Sequence, residues 1–120
     1  VFRAKQIIGV VSMKDVRKML TKEEQMGLLH LLKADGGQIR DILEDSPEAQ
    51  EYLQEKNRLQ LGDSKFLPDD IQFGVDILVY HRIVAMISPK TLIAVVIEDV
   101  AISNAQRQFL EFLWKSIPLS

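Results

Sequence analysis

The stretch that most limits what this chain can become is VDILVYHRIVAMISPKTLIAVVIED, Val75 to Asp99, apolar throughout except at Asp76 and where His81-Arg82 and Pro89-Lys90 interrupt it. It is long enough to cross a bilayer, but Asp76, His81, Arg82 and Lys90 would each cost about 3 kcal/mol at the bilayer centre, and Pro89 divides the run. Cut at the two polar pairs, the region reads as three strands, FGVDILVY, IVAMIS and TLIAVVIED. Tight turns would join them into a buried antiparallel meander.

The first sixty residues have a different grammar. Gln6 to Val11, QIIGVV, is a β-branched run without alternation, which predicts a central, parallel-type strand covered on both faces. Ser12 with Asp15, and Thr21 with Glu24, have capping-box spacing, so a short helix is expected near 13–20 and a longer one at 22–34. Gly36-Gly37 stops that helix. An extended segment, QIRDILED, follows where a phosphate-cradling loop would need a helix, so the glycines read as a helix stop. Ser46-Pro47-Glu48 opens a third helix. Its apolar stripe of Ala49, Tyr52, Leu53 and Leu59 is thin and places it on the outside of the sheet. From Val100 to Ile117, Ile102, Ala105, Phe109, Phe112 and Leu113 recur at helical spacing, with Trp114 beside them and Pro118 as terminator. The order β-α-β-α-β-β-β-β-α predicts an α/β fold, a mixed β-sheet flanked by helices, in a single domain over residues 1–120.

Charge bounds the partners. Fifteen basic residues are scattered among seventeen acidic ones for a net −2, so the segment by itself carries no field to neutralise a run of phosphates. With no cysteine, disulfides, thiolate chemistry and the usual zinc sites are excluded, and a cytoplasmic location is the expectation. The opening VFRAKQIIGVV has neither an initiator Met nor a signal-peptide core, which reads as a fragment of a longer chain.

Catalytic signals are sparse. His30 and His81 are the only histidines; His30 sits mid-helix without metal-ligand spacing, and His81 falls in a turn. Asp69-Asp70 serves a turn, and Glu98-Asp99 favours the start of the last helix. Arg40 could reach a ligand at the sheet's end, but reads first as the partner of a nearby acid. Asp76, inside an apolar strand, must find partners or a wet edge, and reads as a carboxylate at a strand end or one accepting hydrogen bonds from a neighbouring turn. No cofactor or metal is expected. A small-molecule site, if the sheet has one, belongs at the carboxyl ends of the parallel strands, which here means Ser12, Met13 and Lys14 together with Glu44.

The segments QIIGVVSMKDVRKML, GQIRDIL, FLPDDIQFGVDILVYHRIVAMIS and LIAVVIEDVAISNAQRQFLEFLW together resemble the effector region of TrmB-like archaeal and bacterial transcriptional regulators. The resemblance covers nearly the whole chain. Its most specific part is the VVIED-type strand followed by a helix closing on FLEFLW, Phe109 to Trp114. It implies a phospholipase D-like fold, a winged helix-turn-helix upstream that contacts DNA and is absent from this chain, a homodimer, and a small-molecule effector. Some such regulators bind sugars with the help of a further C-terminal domain, which would lie beyond Ser120. The phospholipase D motif H-x-K-x-x-x-x-D, with His as nucleophile, falls on His81, but its lysine position is Ile83 and its aspartate position is Ser88, so the motif is eroded. The expectation is a non-enzymatic effector-sensing and dimerisation domain with a dimer surface at Phe109, Phe112 and Trp114. A ligand-free interaction module and a divergent phosphodiesterase are the alternatives.

Overall fold

Among residues 6–118, which the computed structural model describes, six strands and four helices follow in the order β1 (Gln6–Val11), α1 (Met13–Val16), α2 (Lys22–Ala34), β2 (Gln38–Leu43), α3 (Pro47–Arg58), β3 (Ser64–Phe66), β4 (Asp76–Tyr80), β5 (Ile83–Ser88), β6 (Ile93–Glu98) and α4 (Val100–Ser116). The strands form one mixed sheet in the order β3-β2-β1-β4-β5-β6. β1, β2 and β3 run parallel, and β4, β5 and β6 form the meander, with β4 antiparallel to β1. The α/β fold with helices on both faces of a mixed sheet is therefore as the sequence implies.

The pleat divides the core in two. Ile8 and Val10 of β1 face α4 with Ile42, Val79, Val84 and Leu110. Val11 faces α1, α2 and α3 with Leu29, Ile39, Leu43 and Tyr52. β1 is covered on both sides, which explains its unalternating apolar composition. Gly9, on the Val11 face, sits close under β4: a Cβ there would stand 2.7 Å from the Ile77 carbonyl oxygen.

The helix starts are those written in the sequence. Thr21 and Glu24 form a complete capping box, Ser46 accepts from the Ala49 N–H at 3.0 Å ahead of Pro47, and Asp99 accepts from the Ile102 N–H at 2.9 Å. Gly36, at φ 75°, ends α2 in the left-handed conformation, and the Gly37 N–H reaches back to the Leu32 carbonyl.

Four expectations need correcting. α1 is one turn long rather than eight residues, because Thr21 must be extended (φ −69°, ψ 164°) to cap α2. β4 starts at Asp76 rather than Phe73, since Gly74 takes φ 73° just before it. β6 is not buried. It is the edge strand of the sheet among the described residues, and its residues are exposed apart from half-buried Ile97. On α4, the residues turned into the core are Ser103 and Leu110, with Leu113 and Trp114 packed beside them, whereas Phe109 and Phe112 are 69% and 73% exposed.

Candidate functional site

On the sheet face that α1 and α2 cover, a groove of about 820 Å³ runs from Val11, Met13 and Asp76, where β1 ends, to Ile7, Ile39 and Ala34 at the other end of the strands. Its floor is Ile7, Val11, Leu78 and Ile87, and its wall includes Met13, Val16, Leu28 and Leu32. Two carboxylates line it: Asp35, exposed at the end of α2, and Asp76 of β4, which is only 3% exposed. The Ser12 backbone N–H donates to Asp76 Oδ1 at 3.1 Å. Burial raises the carboxyl to about 6 against that stabilising bond, and the nearby negative charges of Asp15 and Glu44 push the same way. The mouth of the groove thus has an apolar body and a negatively biased end. It can hold an apolar chain or ring, with a cationic or hydrogen-bond-donating group set against Asp76.

The residues expected at this end divide. Met13 lines the groove, and Ser12 both orients Asp76 through its N–H and caps α1 through its hydroxyl. Lys14 points to solvent and does not line the groove. Glu44 is half-buried, accepts from the Phe73 N–H at 3.1 Å and reaches Asp76 only as a charge.

Between α3 and β2 lies a polar cluster with no counterpart in the sequence reading. Lys56 and Asp41 are both fully buried. Lys56 Nζ donates to Asp41 Oδ1 at 2.9 Å, to the Asp63 carbonyl at 2.7 Å and to Ser64 Oγ at 2.8 Å. The Tyr52 and Ser64 hydroxyls donate to the two Asp41 oxygens. Burial pulls the Lys56 ammonium down, although Asp41 opposes it, and burial with the Asp41 charge pushes the Tyr52 phenol well up. Each charged atom is satisfied within the cluster and is sealed from solvent. That makes it a fixture holding α3 to the sheet rather than a reaction centre. The signal was the spacing of Tyr52 and Lys56, one turn apart on the face that also carries Ala49.

A second cleft of about 880 Å³ opens at the opposite end of the sheet and is lined by Arg40, His81, Arg82, Arg107 and Glu111. Its cations are engaged. Arg40 pairs with Glu111, Arg82 with Glu98 at 2.7 Å, and Arg107 donates to the His81 carbonyl and to Asn104 Oδ1. His81 forms the β4–β5 turn in the left-handed conformation, φ 55°. Ile83 opens β5 and Ser88 closes it, about 20 Å from His81 at ~3.3 Å per residue. The three positions of the eroded motif do not converge. Ser88 instead accepts a hydrogen bond from the Thr91 hydroxyl at 2.6 Å. His30 is a surface residue bonded to Glu55 at 2.6 Å.

The proposed dimer residues also divide. Phe109 and Phe112 are exposed, while Trp114 packs against the core with Lys65 Nζ 4.7 Å from its ring centre. Among the described residues, no three His, Asp or Glu side chains gather as a metal-ligand set, and no helix is long and apolar enough to cross a membrane.

No protein-family model matches the chain, and no curated protein matches it significantly. A solved structure does. TrmBL2, an archaeal chromatin protein whose structure shows a novel mode of DNA binding, has the same fold over 98% of this chain, with a TM-score of 0.69 and 10% sequence identity. This chain spans 46% of that one. At that identity the likeness is one of fold.

Proposed function

We propose that this chain is the non-catalytic effector domain of a TrmB-like transcriptional regulator. In this reading it takes a small amphipathic effector in the groove beside α2 and forms a homodimer that sets the spacing of DNA-binding parts located elsewhere in the protein. The likeness in fold to TrmBL2, itself a chromatin protein, supports the regulatory class. The observation that carries the effector reading is the groove, an apolar concavity with one buried carboxyl poised near neutrality at its end. Specific sites for small molecules have this character, mostly apolar with a few placed polar groups.

The chemistry favours a ligand with a cationic head, because Asp76, Asp15 and Glu44 bias that end negatively. A sugar, polar on every side, fits these walls poorly. The test is a thermal-shift titration at pH 7.5 with a matched pair of probes, octylamine and octanoic acid. Octylamine should raise the melting temperature by mass action, octanoic acid should not, and Asp76→Asn should abolish the difference. Equal responses to the two probes, or none, would overturn the effector reading. The ligand-free interaction module would then be the better account, favoured by the exposed Phe109 and Phe112.

A further inference from the structure

The two edges of the sheet are built differently. β3, at one edge, is three residues long and carries Lys65, whose ammonium is tied to the Trp114 and Ile117 carbonyls at 2.8 Å. A short edge bearing a lysine is a protected edge. β6, at the other, pairs with β5 without a bulge over six residues, IAVVIE. It has no proline, no lysine and no charge before Glu98, and no strand on its outer side among the described residues. Its outward N–H and C=O groups are the complement of one kind of partner, another β-strand.

We propose that this partner is β6 of a second copy of the chain, paired antiparallel about a two-fold axis through Val95. A two-fold axis normal to the sheet requires facing residues to share a face, which leaves few registers. Centred on Val95, Ile93 faces Ile97 and Ala94 faces Val96 in both halves, all apolar. Centred on Val96, Ala94 would face Glu98 and Ile93 would face Asp99. Centred on Ala94, the ladder would run into Leu92, which leaves the extended region at φ 59°. Of these registers, only the one centred on Val95 pairs apolar residues throughout Ile93 to Ile97; Glu98 then falls opposite Leu92, where that residue has already left the extended region.

The same axis recruits α4. With the sheets continuous, the two α4 helices lie on one face. Glu111 ties α4 to Arg40 of β2. At 100° per residue, Ile102 and Phe109 lie roughly 160–180° round the helix from Glu111, on the side turned toward β6, with Phe112 next to them. Across the axis these side chains meet their copies above Ile93 and Val95. The exposed area of Ile93, Val95, Val96, Ile102, Phe109 and Phe112 is of the same order as the ~800 Å² per partner that a stable interface covers. A strand edge and a phenylalanine stripe that face the same way have one explanation in a two-fold dimer. Separately, each would need a different partner.

This inference rests on the dimeric reading above and gives it a surface. The experiment is sedimentation velocity on the 120-residue chain at about 100 µM, with Val95→Lys, Val95→Glu and their equal mixture. The native chain should be a dimer, and each variant should be a monomer through like-charge repulsion at the axis. The mixture should recover the dimer, which also shows that both variants fold. A native dimer that persists in both variants would overturn the β6 assignment while leaving the dimer itself standing. Variants that stay monomeric when mixed overturn the Val95 register. A monomeric native chain overturns both the assignment and the dimer, and would assign the edge to another segment or protein.

Discussion

The Lys56–Asp41 pair shows what a single buried charge demands of its surroundings. Taking an ammonium and a carboxylate out of water costs several kcal/mol each, and their attraction offsets that only when every remaining hydrogen-bonding site is filled. Here the filling is complete: two hydroxyls, one carbonyl and the ion pair itself. Lys56→Met should therefore strand Asp41 as an uncompensated buried charge and destabilise the fold by about 3–5 kcal/mol. Asp41→Asn combined with Lys56→Met removes both charges and should cost markedly less than Lys56→Met alone. Urea denaturation of the wild type, the two single variants and the double variant measures the coupling. Costs that simply add would show that the two residues act independently, contrary to the geometry.

At the scale of elements, α4 is held at its end by a side chain from a distant strand. The Lys65 ammonium reaches the Trp114 and Ile117 carbonyls at 2.8 Å and lies against the Trp114 ring, so it satisfies carbonyls that a helix end leaves open and places a cation where the helix dipole is negative. Lys65→Met should loosen the last turn of α4 at a cost on the order of 1–3 kcal/mol. Trp114 is the only tryptophan, so its emission should move to the red in Lys65→Met before global unfolding. An unchanged spectrum would show that α4 is held by apolar contacts alone. The elements were legible wherever one residue carries the local signal: Thr21, Ser46 and Asp99 as caps, Gly36 as a stop, His81-Arg82 as a turn. Legibility failed where the outcome depends on distant chain. The stripe of Ile102, Ala105, Phe109 and Phe112 has helical period, but period says only that one face is apolar. The neighbouring face with Ser103, Leu110, Leu113 and Trp114 is the one that packs on the sheet, and it leaves the phenylalanines outward. β6 reads as a buried strand for the same reason: apolarity reports what a strand can bury, not whether its own chain supplies the cover. In the site, Met13 and the oddity of Asp76 were visible, but the groove joining them needs α2 and β5, which no local pattern brings together.

The stability of the whole molecule should carry the signature of Asp76. Its carboxyl titrates at about 6 in the folded chain against an ordinary 3.8. Between those values the folded state holds a proton that the unfolded chain has released, so stability falls as pH rises through the window and the loss is complete above about 6. A shift of about two units sets the size, on the order of 2–3 kcal/mol at ~1.4 kcal/mol per unit. The groups around it act in the same direction: Asp15 and Glu44 are negative, and only the Ser12 N–H opposes them. The surface carboxylates behave oppositely and elsewhere. Glu55 is held down to about 2 by Arg58 and His30, and Glu111 is held down by Arg40. Their contributions are lost as pH falls from the ordinary value of 4.5 through the lowered one, so the two losses run in opposite directions and greatest stability is expected where they meet, near pH 4. Asp76→Asn keeps an oxygen to accept from Ser12 and has no charge to bury. It should match the wild type near pH 4 and exceed it by about 2 kcal/mol at pH 7.5, flattening the upper limb of the curve. Urea midpoints collected from pH 4 to 8 on both chains decide the matter. Parallel curves, or a variant weaker at pH 7.5, would mean that Asp76 is solvated well enough to ionise without cost. In that case the end of the groove is wetter than its walls imply.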